Sequence, residues 1–236
     1  MQPEELTFGW VEDEDRDELA ERLACNIAEH LAQTLRARGK ATLIVSGGST
    51  PKPVFARLST KDIDWSGITV TLADERWVPP DHEDSNEKLV RENLLVNRAA
   101  AASFIPLFRD VAGPEDALDD VAGDLESALR NLGVLVLGMG ADGHTASLFP
   151  DAPELEAAMD SDQPALVMMM HPPSVTQARI TLTARALTHA RVCFLHITGT
   201  DKREVLEQGL LAVEQVPPAV RLMERMPEPV LVYWAP

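Results

Sequence analysis

The chain has 236 residues and a formal net charge of −17, from 21 basic and 38 acidic side chains. This length is enough for one large α/β domain with a full core and does not require two, and the negative charge argues against nucleic acid or an anionic membrane as a partner. No apolar run approaches the roughly 18 residues of a membrane span, and the acidic residues 1–17 lack the apolar core of a signal peptide, so we expect neither feature.

The two cysteines indicate a reducing compartment. Cys25 lies in a helix-like apolar segment and Cys193 in a strand-like one, and the sequence has no C-x-x-C pair. We therefore expect two buried free thiols in a cytoplasmic protein.

The first predicted elements alternate between strand and helix. Residues 6–10 are predicted as a short strand. Residues 13–38 carry apolar side chains at every fourth position until Gly39, a pattern that predicts one amphipathic helix. The apolar run Ala41–Val45 is the second predicted strand.

The turn after the second strand has the composition of an anion-binding site. Its two glycines let the backbone approach an anion closely, its hydroxyl side chains add donors, and its proline suits the first turn of a helix. A lysine near a helix N-terminus opposes the helix dipole, so an anion would explain its position better. An ordinary turn is the equally weighted alternative, and the absence of G-x-x-x-x-G-K-[ST] argues against a nucleotide. The candidate phosphate-binding residues are Ser46, Gly47, Gly48, Ser49, Thr50 and Lys52.

A charged trio ends the next predicted strand, which covers residues 68–73. Asp74, Glu75 and Arg76 lie at its carboxyl end, where α/β proteins bind ligands. The alternative is a cap with a salt bridge. Ser85 is expected to cap a helix over residues 86–96.

The centre of the chain contains a short buried piece, a helix and a strand. These are residues 104–107, residues 114–131 with Gly133 as the end of the helix, and residues 134–137. A glycine-rich turn follows the strand, and we predict that a short helix opens there with His144.

The glycines of this turn match the dinucleotide motif G-x-G-x-x-G. That motif requires an acidic residue at the end of the next strand. The next predicted strand, residues 165–170, ends instead in His171, and Asp142 inside the turn would repel a pyrophosphate. We therefore disfavour a nicotinamide or flavin site and predict no cofactor.

The last third of the chain supplies three further predicted strands. Residues 151–162 are interpreted as an acidic surface connection. Residues 179–183 alternate strictly, which places Arg179 on one face of a strand. The strand over residues 191–198 leads to a helix that carries Lys202 near its start, and residues 229–234 form the last strand. We expect structural roles for His171, His189 and His196.

Four turns follow the carboxyl ends of predicted strands and can gather at one edge of a sheet. They would bring together the phosphate-binding turn, the charged trio, the glycine-rich turn and Lys202, with Arg179 as a planar donor. We therefore predict a doubly wound, mostly parallel α/β sheet with helices on both faces, in one domain over residues 1–236.

Six segments together resemble the 6-phosphogluconolactonase family, which is related to the glucosamine-6-phosphate deaminases. The most specific segment is Gly138-Met139-Gly140-Ala141-Asp142-Gly143-His144-Thr145-Ala146-Ser147-Leu148-Phe149-Pro150. The other five are Ser46-Gly47-Gly48-Ser49-Thr50-Pro51, Asp74-Glu75-Arg76-Trp77-Val78-Pro79, Ser85-Asn86, Arg179-Ile180-Thr181-Leu182-Thr183 and Gly199-x-x-Lys202. The resemblance implies a sugar-phosphate substrate in the oxidative pentose phosphate pathway and a hydrolytic role for His144. The chain departs from the family where His171-Pro172-Pro173 replaces the usual lysine before two prolines, and at its non-acidic end, Trp234-Ala235-Pro236.

The chemistry of a sugar lactone suits these residues. A δ-lactone is an activated ester, so its hydrolysis needs a positioned water, a base and relief of developing negative charge. We expect His144 to be the base, with Asp142 or Asp74 as its orienting carboxylate, and Arg76 to stabilise the oxyanion or orient the lactone. The phosphate would be bound by the turn at residues 46–50 with Arg179 and Lys202. No group of metal ligands is evident, and the serine-nucleophile motif G-x-S-x-G is absent.

Two other functions remain as alternatives. A glucosamine-6-phosphate deaminase is disfavoured, because Phe149 occupies the position of the catalytic glutamate in that family's motif. A non-catalytic sugar-phosphate sensor would use the same pocket without turnover. The sequence leaves monomer and weak dimer open.

Overall fold

A sheet of seven parallel strands runs through the computed structural model, which describes residues 8–236. The strands are β1 (Phe8–Glu12), β2 (Ala41–Val45), β3 (Ile68–Leu72), β4 (Asp74–Arg76), β5 (Ser103–Ile105), β6 (Leu132–Leu137), β7 (Val167–Met170), β8 (Arg179–Leu182), β9 (Val192–Thr198) and β10 (Val230–Ala235). The order in the large sheet is β1-β10-β9-β6-β2-β3-β5. β4, β8 and β7 form a second, antiparallel sheet.

Eight α-helices connect the strands within residues 8–236. They are α1 (Arg16–Arg38), α2 (Lys52–Leu58), α3 (Asn86–Asn93), α4 (Leu118–Arg130), α5 (Leu155–Met159), α6 (Ala184–Leu187), α7 (Thr200–Leu211) and α8 (Pro218–Met223). No helix within residues 8–236 is both long and apolar enough to cross a membrane.

The central strands are buried on both faces, which explains their nearly continuous apolar sequences. Every residue of β2 and β6 is buried. The predicted α/β class with a mostly parallel sheet is therefore confirmed. The predicted first strand is shifted to β1, and residues 6 and 7 lie outside the described part of the chain.

Capping residues at both ends determine where α1 begins and ends. Asp15 accepts hydrogen bonds from two backbone N–H groups of the first turn of α1, so the helix begins later than the predicted residue 13. Gly39 ends it in the left-handed conformation, as its sequence position indicated. The apolar stripe of α1 is buried against the sheet.

The winding of the chain creates a crevice between β2 and β6. From β2 the chain proceeds outward to β3 and β5, and from β6 it proceeds in the opposite direction to β9 and β10. The connections that follow these two neighbouring strands therefore diverge and leave space at the carboxyl edge of the sheet. Such a switch point is where doubly wound proteins bind ligands.

Three sequence predictions were wrong about local structure. No helix follows the glycine-rich turn: residues 145–148 form turns, with an isolated antiparallel bridge between Thr145 and Leu148. Residues 151–162 are more than a surface connection, because they contain α5 with three buried side chains. Gly133 does not end a helix, since it lies inside β6 against Thr34 of α1.

The other differences concern element bounds and burial. The helix predicted over residues 86–96 ends at Asn93, and the one predicted over residues 114–131 begins with a 3-10 turn before α4. Both cysteines are free, as expected, but Cys25 is exposed and only Cys193 is buried.

Candidate active site

A cavity of about 360 Å³ opens at the switch point. Four connections border it, those after β2, β3, β6 and β9, as predicted from their positions at strand ends. β8 contributes from the small sheet. The lining includes Ser46, Gly47, Gly48, Ser49, Thr50, Asp74, Arg76, Asn86, Gly138, Gly140, His144, Phe149, Val175, Arg179, His196 and Lys202.

Two of the sequence-predicted residues do not line this cavity. Lys52 is exposed at the first position of α2. Asp142 contacts His144, which does line the cavity. The other ten predicted residues all border the cavity.

His144 and Asp142 form a hydrogen-bonded pair. The Nδ1 atom of His144 lies 2.5 Å from Oδ1 of Asp142, which also accepts the backbone N–H of His144 at 3.1 Å. Burial raises the pKa of Asp142, but these hydrogen bonds outweigh the effect and hold it below the usual range. The ionised carboxylate fixes a proton on Nδ1 and leaves Nε2 as the basic atom of the ring.

The ring of His144 is held by packing as well. It stacks on Phe149 with ring centroids 4.1 Å apart. A Cβ atom at Gly140 would lie 2.2 Å from Cε1 of His144, so only glycine leaves room for the ring at this position. The turn therefore gives His144 one well-defined orientation.

Asp74 makes no hydrogen bond to His144 and has a different partner. Its Oδ2 accepts a hydrogen bond of 2.5 Å from Ser147, and the carboxylate is buried. Of the two carboxylates that the sequence left open as partners of His144, the geometry therefore selects Asp142.

Two arginines lie side by side across the small sheet. Arg76 on β4 is paired in register with Arg179 on β8. Arg76 donates to the backbone carbonyl of Asp84 at 2.6 Å, which holds its guanidinium in place. Arg179 lies with Cζ 5.8 Å from the centre of the Phe149 ring, and therefore on the His144 side of the cavity.

Glu75 anchors the helix that forms one wall of the cavity. Its buried carboxylate accepts the backbone N–H groups of Arg76, Asn86 and Glu87 and the hydroxyl of Ser85. Burial raises the pKa of Glu75 to about 7, against the opposing effect of the backbone donors. The Ser85 hydroxyl accepts the backbone N–H of Lys88. Together, Ser85 and the Glu75 carboxylate satisfy the free backbone N–H groups at the N-terminus of α3.

The anchored helix presents Asn86 to the phosphate-binding turn. Its Nδ2 donates to the backbone carbonyl of Asp74 at 2.9 Å. A Cβ atom at Gly47 would lie 1.8 Å from Oδ1 of Asn86, so the turn needs glycine there in order to pack against α3. Gly47 thus has a packing role in addition to the predicted approach to an anion, whereas Gly48 is required by its φ of 91°.

The cavity is cationic although the chain is strongly acidic. Arg76, Arg179 and Lys202 border it, whereas Asp74 is the one carboxylate among the described lining residues. Burial and the adjacent Arg76 lower the pKa of Arg179, and burial lowers the pKa of Lys202. The carboxylates around the cavity compensate these cations incompletely, so an anionic ligand is favoured there.

Sequence reasoning missed Asn86 and His196 as lining residues. Among residues 8–236, four buried side-chain atoms lack a hydrogen-bond partner, and all four belong to residues that line this cavity: Ser46 Oγ, Asn86 Oδ1, Arg179 Nε and His196 Nδ1. Buried polar groups are normally paired. Their concentration at one cavity indicates that a ligand completes the site.

Comparison with known protein families gives a match over most of the chain. The family model described as glucosamine-6-phosphate isomerases/6-phosphogluconolactonase matches residues 14–231. A 6-phosphogluconolactonase of Rhizobium meliloti is 44% identical over 224 residues, which cover 94% of this chain and 97% of the relative. One of Pseudomonas aeruginosa is 42% identical over 219 residues, 93% of this chain and 91% of the relative.

Solved structures agree with the fold and with these relatives. The crystal structure of a 6-phosphogluconolactonase from Shewanella baltica superposes with a TM-score of 0.93 at 41% identity and covers 97% of this chain and 98% of that one. The corresponding protein from Thermotoga maritima gives a TM-score of 0.79 at 26% identity, with 97% and 100% covered. The similarity therefore extends over nearly the whole of each chain.

Proposed function

The chain belongs to the glucosamine-6-phosphate isomerase/6-phosphogluconolactonase family, and we propose that it is a lactonase that hydrolyses 6-phospho-D-glucono-1,5-lactone to 6-phosphogluconate. The observation that carries this proposal is the His144–Asp142 pair beside a cationic cavity. The reaction belongs to the oxidative branch of the pentose phosphate pathway, and residues 1–236 act as one domain.

His144 serves as the general base in this proposal. Its Nε2 atom takes a proton from a water as the water attacks the lactone carbonyl carbon. Asp142 keeps the proton on Nδ1 and stabilises the imidazolium that forms. The proton then passes to the ring oxygen as the C–O bond of the lactone breaks, which restores the neutral histidine.

The arginines stabilise the charge that develops on the carbonyl oxygen. Arg76 is oriented before the substrate arrives, because its guanidinium already donates to a backbone carbonyl. Such a preorganised donor contributes more than one that must reorient during the reaction. The sequence suggested Arg179 as a phosphate ligand, but it lies on the His144 side of the cavity, so in this proposal it adds a second guanidinium at the carbonyl oxygen. Asp74, fixed by Ser147, supplies a negative charge that acts on Arg179.

The phosphate is bound away from the reacting carbon. The turn of residues 46–50 offers backbone N–H groups and hydroxyls, and Lys202 supplies a cation from α7. Binding energy from this remote group holds the lactone in position for attack. Lys52 takes no part in this arrangement, because its side chain is exposed outside the cavity.

Phe149 favours the lactonase over the isomerase branch of the family. It stacks on His144, at the position where the deaminase motif carries its glutamate, and it cannot carry a proton. Ring opening with proton relay through that position is therefore excluded for this chain. Water attack on a lactone needs no group there.

The test is the rate of lactone opening by purified protein after subtraction of the spontaneous rate. We expect an acceleration that EDTA does not change. His144→Ala should lower kcat by about 10²- to 10⁴-fold, the usual contribution of a general base, while 6-phosphogluconate still binds. His189→Ala is the matched control, because His189 is exposed and lies outside the cavity.

Two results would contradict the proposal. Unchanged turnover in His144→Ala would remove the base assignment. A wild-type protein that binds 6-phosphogluconate without accelerating lactone opening would instead be a sugar-phosphate sensor.

A further inference from the structure

His196 is a buried histidine of the cavity wall that the proposed reaction does not use. It lies near the carboxyl end of β9, is 5% exposed and borders the cavity together with Lys202. Its Nδ1 atom has no hydrogen-bond partner among residues 8–236. An unpaired buried nitrogen costs free energy, so a ligand that interacts with this ring recovers part of that cost.

The His196 ring lies on the same side of the large sheet as the phosphate-binding turn of residues 46–50. Phe194 is two residues earlier in β9 and therefore on the same face. It packs against His30 of α1 and Tyr233 of β10. α1 in turn packs against α2, the helix that the turn of residues 46–50 precedes. His196 and this turn therefore border the cavity from one side.

Lys202 is the charged group that acts on the ring. The other neighbours carry no charge: Tyr233 lies beside His196 on β10 with its hydroxyl bonded to Asn26, and Gly138 follows β6 on the other side. Burial, and then the Lys202 ammonium, lower the pKa of His196 to about 4. The protein by itself therefore holds a neutral imidazole next to a cation.

We propose that His196 takes up one proton when a phosphorylated sugar acid enters the cavity, so that an imidazolium and the Lys202 ammonium bind the phosphate together. This inference rests on the proposed function, because the ligand is the substrate or product of that reaction. A phosphate dianion reverses the local balance: its two negative charges outweigh one lysine and favour the charged ring. The proton comes from solvent and returns to it when the product leaves.

The wild-type protein alone can test this inference. Binding of 6-phosphogluconate is measured by calorimetry in buffers of different ionisation enthalpy, at about pH 7.5, where a phosphate monoester with a second pKa near 6 is already almost fully dianionic. We expect uptake of close to one proton per bound 6-phosphogluconate and none with gluconate, which lacks the phosphate. Binding of 6-phosphogluconate without proton uptake overturns the inference.

A pair of variants assigns the proton to a residue. His196→Gln should lose the uptake and bind 6-phosphogluconate about 10- to 100-fold more weakly, the range for hydrogen bonds to charged groups. His189→Gln, the matched control outside the cavity, should behave like the wild type. Uptake that persists in His196→Gln belongs to another group, such as Lys202, and overturns the inference.

Failure of the inference is distinguishable from failure of the proposed function. A wild-type protein that opens the lactone and binds 6-phosphogluconate without taking up a proton contradicts only the role of His196. A protein that neither opens the lactone nor binds 6-phosphogluconate contradicts both.

Discussion

At the scale of single residues, the hydrogen bond to Asp142 determines which nitrogen of the His144 ring carries the proton. Asp142 is more exposed than its partner, with 42% of its side chain accessible against 29% for His144. Its contribution is therefore one of tautomer and orientation more than of net charge, since solvent weakens the Coulomb attraction between exposed groups.

Asp142→Asn tests this role. An asparagine amide can donate to Nδ1, which would place the ring proton on Nε2 and remove the basic atom from the cavity. We expect kcat to fall by about 10²-fold or more with little change in KM, as measured by steady-state lactone hydrolysis. Asp160→Asn, in an exposed turn, is the matched control. An Asp142→Asn enzyme with wild-type kcat would show that the pair does not set the tautomer.

Sequence could identify His144 and Arg76 because both lie in segments that follow the carboxyl ends of predicted buried strands, where α/β proteins bind ligands. His196 could not be found in this way. It lies inside a buried strand whose nearly continuous apolar sequence predicts a core residue, and its access to the cavity arises from the end of β6 beside it. Asn86 could not be found from sequence either. It directly follows the helix cap Ser85, where an asparagine is common without any ligand.

At the scale of elements, the position of the catalytic turn depends on how α1 packs against β6. Gly133 lies in β6, and a Cβ atom there would approach Thr34 of α1 at 2.9 Å from Oγ1 and 3.3 Å from Cβ. Thr34 is itself fixed by a hydrogen bond to the carbonyl of His30. The helix can therefore move away only by opening the core.

Gly133→Ala should lower the free energy of unfolding by about 1–3 kcal/mol, the usual cost of overpacking. Urea denaturation measures the change. Gly123→Ala is the control: Gly123 lies in α4, and a Cβ atom there would have no heavy atom within 4 Å, so alanine should stabilise the protein by about 0.5–1 kcal/mol. A Gly133→Ala protein as stable as the wild type would show that α1 adjusts without cost.

The large sheet was predictable from sequence, whereas the small one was not. Continuous apolar runs such as β2 and β6 can be buried on two faces only in a parallel sheet covered by helices. β4 has three residues, all charged, and becomes a strand because β8, about a hundred positions later, pairs with it. Such pairing is set by tertiary contact and leaves no local pattern.

At the scale of the whole molecule, two buried groups give folding stability opposite dependences on pH. The pKa of Glu75 is raised to about 7, so the native state keeps a proton that the unfolded chain has lost. Its contribution to stability is full below about pH 4.5 and is lost as the pH rises through 7. His196, with its pKa lowered to about 4, contributes fully above pH 6.5 and less as the pH falls.

Substitution of each group should reveal that group's own contribution to the pH dependence of stability. Relative to the wild type, Glu75→Gln should gain stability between pH 5 and 8, and His196→Gln should gain stability as the pH falls from 7 to 4.5. Each change amounts to at most about 3 kcal/mol, because one pKa unit is about 1.4 kcal/mol. Urea unfolding across this pH range checks both signs. If the free energy of unfolding of a variant varied with pH in parallel with that of the wild type, the substituted group would not be the source of the predicted pH dependence.

The order of the sheet also bears on how the protein is made. β1 pairs with β10, which follows the other nine strands in chain order. A chain emerging from a ribosome can assemble β2, β3, β5 and β6 early, but β1 must wait until β10 has been synthesised before it finds a neighbour. Until then β9 presents an open edge, which can pair with a second nascent chain. The interval before β10 emerges is therefore a stage at which this fold is exposed to misassembly.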